Sequence, residues 1–345
     1  MSAWRMPAEW EPHERTWMAF PPPNATFGEE DSTSLAAARA AWINVANTIA
    51  RYEPVALIAG VNQGAVASAL VAPGVTVIER PLDDAWMRDI GPTFTVSGPQ
   101  LGAVDWVFNG WGAQSWASWE HDALLANEIG VECGAHVERS TLTNEGGGIH
   151  VDGAGTVLLT ETVQLDPDRN PDWTRAQVEA EIHARLGTSH AIWLPRGLTR
   201  DYGEFGTRGH VDIVATFVRP GVVAAHHQPD PAHPDYEVTR EIIALLRSSV
   251  DAAGRPLEVV EVPAPKVLEM DGEWTDFSYI NHYLGNGFVV VGIFDDANDD
   301  PALELLARLY PGRRVHRANG GAIFAHGGGV HCITQQQPLV EAVVS

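Results

Sequence analysis

Apolar positions along this chain switch between two spacings, one suited to paired strands and one to amphipathic helices. Runs of strand-forming residues face each other across tight-turn signals. Thr93–Val96 and Leu101–Val107 flank Ser97-Gly98-Pro99-Gln100, and Ile149–Val151 and Thr156–Thr160 flank Asp152-Gly153-Ala154-Gly155. Val211–Val218 and Val222–Ala225 flank Arg219-Pro220-Gly221; Tyr279–Leu284 and Phe288–Phe294 flank Gly285-Asn286-Gly287. Turn centres at 99, 154, 220 and 286 lie 55, 66 and 66 residues apart. Between the hairpins, apolar residues recur every three or four positions over Ser118–Ile129, Thr174–Leu186, Asp235–Ser248 and Pro301–Leu309, which predicts helices. Ala191–Leu194 and Leu257–Val262 follow two of these as short strands. Ahead of the first hairpin the pattern predicts a helix over Ser34–Ala50, capped by Asp31 or Ser32, and a strand over Val55–Ile58. A helix over Ala65–Leu70 and a strand over Val75–Glu79 follow.

A unit of hairpin, helix and strand, repeated at about 65 residues, fits roughly five times into 345 residues. Radial repetition closes such units around an axis; an open α/β sandwich is the alternative. No Pro/Ser linker or low-complexity tract divides the chain, so residues 1–345 are expected to form a single domain.

The repeat puts polar residues in phase. Asp89 stands ten residues before Pro99, Glu145 nine before Ala154, and His210 ten before Pro220, with Asp212 two further on. Placed at the starts of first hairpin strands, these residues converge if the units surround an axis. Residues two apart on a strand share a face, so His210 and Asp212 are expected to reach one ligand. Each has a plainer reading: Asp89 as a turn cap, Glu145 as neutraliser of a buried cation, His210 as a satisfied core histidine.

Net charge is −23, from 45 acidic and 22 basic side chains. This surface lacks the basic footprint that nucleic acid requires and attracts small cations. No apolar run approaches membrane-spanning length, and the charged N-terminus does not read as a signal peptide. Two cysteines, Cys133 and Cys332, provide no disulfide framework, so a cytoplasmic location is expected. Several of the twelve tryptophans (Trp86, Trp106, Trp111, Trp116, Trp119) fall in loop-like sequence, where aromatic faces can stack on planar or cationic ligands.

Cys332 follows the triplet Gly327-Gly328-Gly329, and the upstream copy Gly146-Gly147-Gly148-Ile149-His150-Val151 has valine in its place. That repetition suggests a pseudo-symmetric scaffold with one nucleophile. One thiol, one imidazole and three carboxylates (Cys332, His210, Asp89, Glu145, Asp212) suit a guanidino compound. Carboxylates match the guanidinium fork, a thiolate can attack its central carbon, and an imidazole can protonate the departing nitrogen and then activate water.

Six strings in order carry a resemblance to the agmatine deiminases and the bacterial peptidylarginine-deiminase-like proteins grouped with them. They are Met6-Pro7-Ala8-Glu9-Trp10-Glu11-Pro12-His13-Glu14, Asp83-Asp84-Ala85-Trp86-Met87-Arg88-Asp89-Ile90-Gly91-Pro92-Thr93, and Glu145-Gly146-Gly147-Gly148 with its continuation through Gly153. Gly209-His210-Val211-Asp212, Ser278-Tyr279-Ile280-Asn281 and His331-Cys332-Ile333-Thr334-Gln335-Gln336-Gln337-Pro338 complete the set. The resemblance implies the pentein fold, a five-bladed α/β propeller with pseudo-fivefold symmetry. It implies Cys332 as nucleophile, His210 as general acid/base, Asp89 and Asp212 as guanidinium-holding carboxylates, and Glu145 as the carboxylate that orients the histidine and bonds substrate. Trp86 matches a tryptophan lining the substrate channel. The implied reaction converts agmatine to N-carbamoylputrescine and ammonia, a step of putrescine and polyamine metabolism. The expected partner is a small cationic guanidino substrate, without metal or organic cofactor, nucleic acid or membrane. The family often forms dimers or larger homo-oligomers.

One departure bears on the substrate. Agmatine deiminases carry an acidic residue four positions before the catalytic histidine, to meet the distal amine; here that position is Gly206. Arg208 adds a cation beside the expected tail site, which would favour free arginine or a guanidino acid, unless Glu204 swings in instead. Peptidyl arginine is a further alternative substrate. A metal-dependent hydrolase built on His150, Asp152, His210, Asp212, His326 and His331 is a rival reading. A catalytically silent guanidinium-binding protein on the same scaffold is another.

Overall fold

A computed structural model describes residues 4–270 and 272–340. Five sheets share one strand scheme, an antiparallel pair extended by a parallel third strand. The first is Thr93–Ser97, Gln100–Val107 and His136–Thr143; the second is Ile149–Val151, Thr156–Thr160 and His190–Leu194. The third is Ala215–Arg219, Val222–His227 and Glu258–Pro263, and the fourth Tyr283–Gly285, Phe288–Ile293 and Arg314–Asn319.

The fifth sheet joins the two ends of the described chain. Gln335–Pro338 pairs antiparallel with His13–Ala19, in register Thr16 to Gln336 and Trp17 to Gln335. His13–Ala19 in turn lies parallel to Val55–Ala59, which lies parallel to Val75–Glu79. A long-range pairing of this kind leaves no local sequence signal, and neither Gln335–Pro338 nor His13–Ala19 was predicted by the apolar pattern. A two-stranded ribbon, Glu269–Met270 with Glu273–Trp274, is additional to the scheme.

The predicted helices form for the expected reasons. Asp235–Ser248 buries Val238, Ile242 and Leu246, one face at four-residue spacing, and carries acids in its first turn and Arg247 in its last. Arg175–Leu186 begins with a capping box between Thr174 and Gln177. Ser32, rather than Asp31, caps Thr33–Ile49 by accepting the Leu35 N–H. Apolar side chains of the strands and of the inner faces of these helices form four buried clusters.

Three expectations fail in a common way. Residues 211–214 and 279–282 are not strand; Val211–Ile213 is a single 3₁₀ turn. Asp89 lies on the one-turn helix Met87–Ile90, Glu145 precedes the 3₁₀ turn Gly146–Gly148, and His210 precedes that of Val211–Ile213. His210 and Asp212 therefore do not share a strand face. Each polar residue sits on a tight turn that feeds the first strand of its sheet, so its direction is set by the turn and not by strand alternation. Nor is Val151 the counterpart of Cys332. Val151 lies within the strand Ile149–Val151, whereas Cys332 lies three residues ahead of Gln335–Pro338, the offset at which Gly146 precedes Ile149–Val151. Trp106 belongs to the strand Gln100–Val107 and is buried. No helix among the described residues is long and apolar enough to cross a membrane.

Candidate active site

The turns ahead of the sheets meet in one buried cluster. The helix Met87–Ile90 is fixed to the Cys332 turn because the Arg88 N–H donates to the Cys332 carbonyl at 3.0 Å. The Arg88 side chain adds Nη1 bonds to Gln335 Oε1 and Gln336 Oε1, both 2.8 Å. This places Asp89, whose Oδ1 accepts the Gly147 N–H and whose Oδ2 accepts Trp111 Nε1–H, each at 2.9 Å. Gly147 must lack a side chain, since a Cβ there would lie 2.4 Å from His210 Nδ1.

His210 Nε2 is 3.2 Å from Glu145 Oε2, and Nδ1 lies 3.8 Å from Asp89 Oδ1. The other oxygen of Glu145 accepts Arg169 Nε–H at 2.9 Å. Arg169 is fully buried and also binds Asp166 Oδ2 and the Thr207 carbonyl, both at 2.7 Å. The turn carrying His210 is held by Asp201, whose carboxylate accepts the N–H groups of Thr207, Gly209 and His210. On the opposite side, Asp212 Oδ2 lies 3.6 Å from Cys332 Sγ and accepts from His331 Nδ1 at 2.7 Å. Asn281 Nδ2–H donates to the sulfur at 3.2 Å, and Asn281 Oδ1 accepts the His331 N–H at 2.9 Å. Trp86 is close by: a Cβ on Gly328 would sit 2.7 Å from its ring and 3.1 Å from Cys332 Sγ.

Charge at the cluster follows from burial and neighbours. Burial opposes a cation at His210, but the Asp89 charge and the Glu145 hydrogen bond and charge outweigh it and raise the imidazole to about 9. Burial pushes Asp89 up to about 6, His210 restraining the rise and Asp212 and Glu145 adding to it. Burial would raise Glu145 too, yet Arg169 and His210 hold it at about 2. Asp212 stays below the usual carboxylate range, because its bond and charge contact with His331 overcome the cost of burial. The Cys332 thiol is pushed well above its ordinary value by burial and by the Asp212 and Asp89 charges.

Three buried polar atoms here have no hydrogen-bond partner: Arg88 Nη2, which faces Glu9 Oε2 at 3.9 Å, and His210 Nδ1 and Asp212 Oδ1. Buried polar atoms are normally paired, so the last two are candidate contacts for a ligand. A donor-rich planar cation suits the acceptor oxygens of Asp89 and Asp212.

A second aromatic group borders the cluster. Trp111 stacks on Trp116 at 5.3 Å, and Phe205 meets Trp116 edge-on at 5.2 Å. Trp111, Ala113, Phe205 and Arg208 all have left-handed backbone (φ 56°, 53°, 62° and 68°). Strain of this kind in non-glycine residues collects at functional sites. Gln114 Nε2 ties the two segments together by donating to the Gly206 carbonyl at 2.6 Å. A Cβ on Gly206 would lie 2.2 Å from the Asp201 carbonyl oxygen, so this loop path excludes an acidic side chain there. Arg208 Nη1 binds Asp166 at 2.9 Å and Asp168 at 2.7 Å, which balances its charge, and Glu204 is exposed.

Thus Asp89, Glu145, His210, Asp212, Cys332 and Trp86 come together as expected. Sequence reasoning gave no role to Asn281, Arg169 or Asp201, and considered His331 only as a rival metal ligand. Asn281 precedes the fourth hairpin much as the others precede theirs, a signal in plain view. Arg169 and Asp201 lie on irregular connections and had none. Of the rival metal ligands, His150 and His331 do approach each other, with Glu9, but every ring nitrogen is engaged by protein. His150 Nδ1 accepts the Phe217 N–H and its Nε2 meets Thr216 Oγ1, while His331 spans Glu9 and Asp212. His326 bonds the Thr26 carbonyl instead.

The chain is similar in sequence and fold to known proteins. Residues 5–338 match the family model of the Porphyromonas-type peptidyl-arginine deiminases. The chain is 63% identical over 337 residues to a Streptomyces avermitilis protein named as a proposed agmatine deiminase, covering 97% of each. It is 38% identical over 360 residues to the agmatine deiminase of Pseudomonas aeruginosa, covering 97% of this chain and 95% of that one. Agmatine deiminase of Enterococcus faecalis, a solved structure, matches with a TM-score of 0.92 at 31% identity, over 98% of this chain and 97% of the other. Fold and relatives define an α/β enzyme of the pentein class that acts on carbon–nitrogen bonds of linear amidines. The chain belongs to the Porphyromonas-type peptidyl-arginine deiminase family.

Proposed function

We propose that this protein hydrolyses agmatine to N-carbamoylputrescine and ammonia through a covalent adduct on Cys332. The observation that carries this is the buried pairing of Cys332 with Asp212 at 3.6 Å, opposite a His210 whose Nδ1 has no partner. The guanidinium lies between Asp89 and Asp212. Its positive charge offsets the two carboxylates that otherwise disfavour a thiolate, so the thiol proton is lost to solvent as the cation arrives. Sulfur attacks the central carbon and forms a C–S bond. His210, cationic at neutral pH, hands its proton to a terminal nitrogen; that C–N bond breaks and ammonia departs, leaving a thiouronium. Neutral His210 then takes a proton from water and hydroxide adds to the same carbon; the C–S bond breaks as the adduct's hydroxyl gives its proton to solvent, releasing the neutral ureido product and the thiolate. Glu145, itself held by Arg169, orients His210 and stabilises its cation.

Agmatine is favoured over a guanidino acid because Arg208 is already paired with Asp166 and Asp168 and offers no free cation to a carboxylate. Trp111, Trp116 and Phe205 supply aromatic faces suited to an ammonium tail. Ammonia release from agmatine, free arginine, a guanidino acid and an arginyl peptide tests the reading, with agmatine expected to have the highest kcat/KM. Preference for an acidic substrate would refute it. His210→Ala should abolish turnover yet leave Cys332 open to a haloacetamidine, seen as a single mass adduct absent in Cys332→Ser. Lack of any adduct in the native chain would point to a silent guanidinium-binding protein.

A further inference from the structure

The string around Glu9 and the histidine beside Cys332 have no part in the steps above, yet the fold joins them. Closure of the fifth sheet by both chain ends brings Glu9 beneath the Cys332 turn, where its Oε1 accepts the Leu284 N–H at 2.7 Å. Its Oε2 lies 2.8 Å from His331 Nε2, while His331 Nδ1 lies 2.7 Å from Asp212 Oδ2. Both ring nitrogens therefore face carboxylate oxygens. An ionised carboxylate only accepts hydrogen bonds, so both contacts form when the imidazole carries two protons. The three side chains are 1–6% exposed, and water does not compete for these bonds. The other titratable groups facing His331 are Arg88, whose Nη2 is 3.9 Å from Glu9 Oε2, and His150 and His282, both held neutral by burial. Charge thus alternates inward from Arg88 through Glu9, His331 and Asp212.

We propose that Glu9 and His331 are positioning residues, a buried carboxylate–imidazolium pair that fixes Asp212 by one oxygen, keeps it ionised, and leaves Oδ1 for the guanidinium. The proposal rests on the reading of Asp212 as a substrate carboxylate. Asp89 and Asp212 provide an internal comparison. Both are buried among like charges with His210 nearby, yet burial raises Asp89 to about 6 while Asp212 remains low, and Asp212 alone bonds His331. The pair explains why the N-terminal segment belongs to the site although it touches neither sulfur nor His210.

The native chain, labelled with ¹⁵N-histidine, gives the first test. The His331 signals, assigned by their loss in His331→Gln, should show both nitrogens protonated from about pH 6 to 8; a neutral tautomer at pH 7 would overturn the proposal. In Glu9→Gln and His331→Gln, the Asp212 carboxyl carbon, assigned through Asp212→Asn, should titrate at higher pH than in the native chain. The KM for agmatine should rise about 10- to 100-fold, the scale seen for outer partners of ligating groups, with a smaller change in kcat. Glu53→Gln breaks a different buried contact, to His13 at 3.2 Å, and should lower stability without moving either readout. Unchanged Asp212 titration in both variants would overturn the proposal. Should the native chain turn over no guanidino compound, the functional reading fails alone, because the nitrogen shifts and the Asp212 titration still report on the pair.

Discussion

Removing the charge of Asp212 should make Cys332 more reactive while destroying catalysis. The carboxylate and the sulfur are 3.6 Å apart and buried. Two like charges at that distance repel by about 4–5 kcal/mol at an effective dielectric of about 20. In Asp212→Asn the amide oxygen can still accept from His331 Nδ1, so the turn is preserved while the repulsion disappears. His331 already offsets part of the Asp212 charge, and a more acidic thiol is a weaker nucleophile, with a slope of about 0.4–0.5. What survives is an alkylation rate by neutral iodoacetamide about 10- to 100-fold above the native rate at pH 7.5. Deimination should fall to background, since a guanidinium-holding carboxylate is gone. Peptide mapping separates Cys332 from Cys133, which is only partly buried and whose thiol burial raises to about 11. A Cys332 alkylation rate equal to or below the native value would refute the claim that Asp212 suppresses the thiolate of the empty site.

Three further outcomes follow from the same contacts. Arg169→Met removes the buried cation behind Glu145, which keeps only His210, while Asp166 keeps Arg208; it should lower unfolding free energy by about 3–5 kcal/mol in urea titrations, and a loss below about 1 kcal/mol would show that Glu145 does not depend on it. Gly206→Glu puts an acid four positions before His210 but drives a Cβ to 2.2 Å from the Asp201 carbonyl oxygen. It should cost about 1–3 kcal/mol and lower agmatine turnover, and a gain in kcat/KM would show that the loop accepts the side chain. His210 is raised from 6.5 to about 9 in the folded state, so its contribution to stability is full below pH 6.5 and disappears as pH rises through 9. Unfolding free energy should fall by roughly 3 kcal/mol over that interval relative to His210→Gln, and parallel pH profiles for the two proteins would contradict the assignment.

Local pattern carried much of this fold. Asp235–Ser248 and Val75–Glu79 could be read to the residue, the first because its buried face recurs at helical spacing and the second because it is a short run of β-branched residues. The strands His13–Ala19 and Gln335–Pro338 could not, because their partner lies at the other end of the described chain. The same division holds at the site. Asp89, Glu145, His210, Asp212 and Cys332 were visible as polar residues in phase with a repeat and in strings shared with a family. Their orientation was not, since one-turn helices rather than strand alternation aim Asp89, Glu145, His210 and Asp212.

By itself, then, the sequence determined the inventory of chemistry and the repeating unit that delivers it. Only the tertiary structure decided the charge each group carries. Burial, Arg169 behind Glu145 and His331 behind Asp212 set which carboxylates stay ionised and which imidazole holds its proton. Those partners come from distant parts of the chain, and electrostatic energies depend on distance and desolvation, neither of which is encoded in local order.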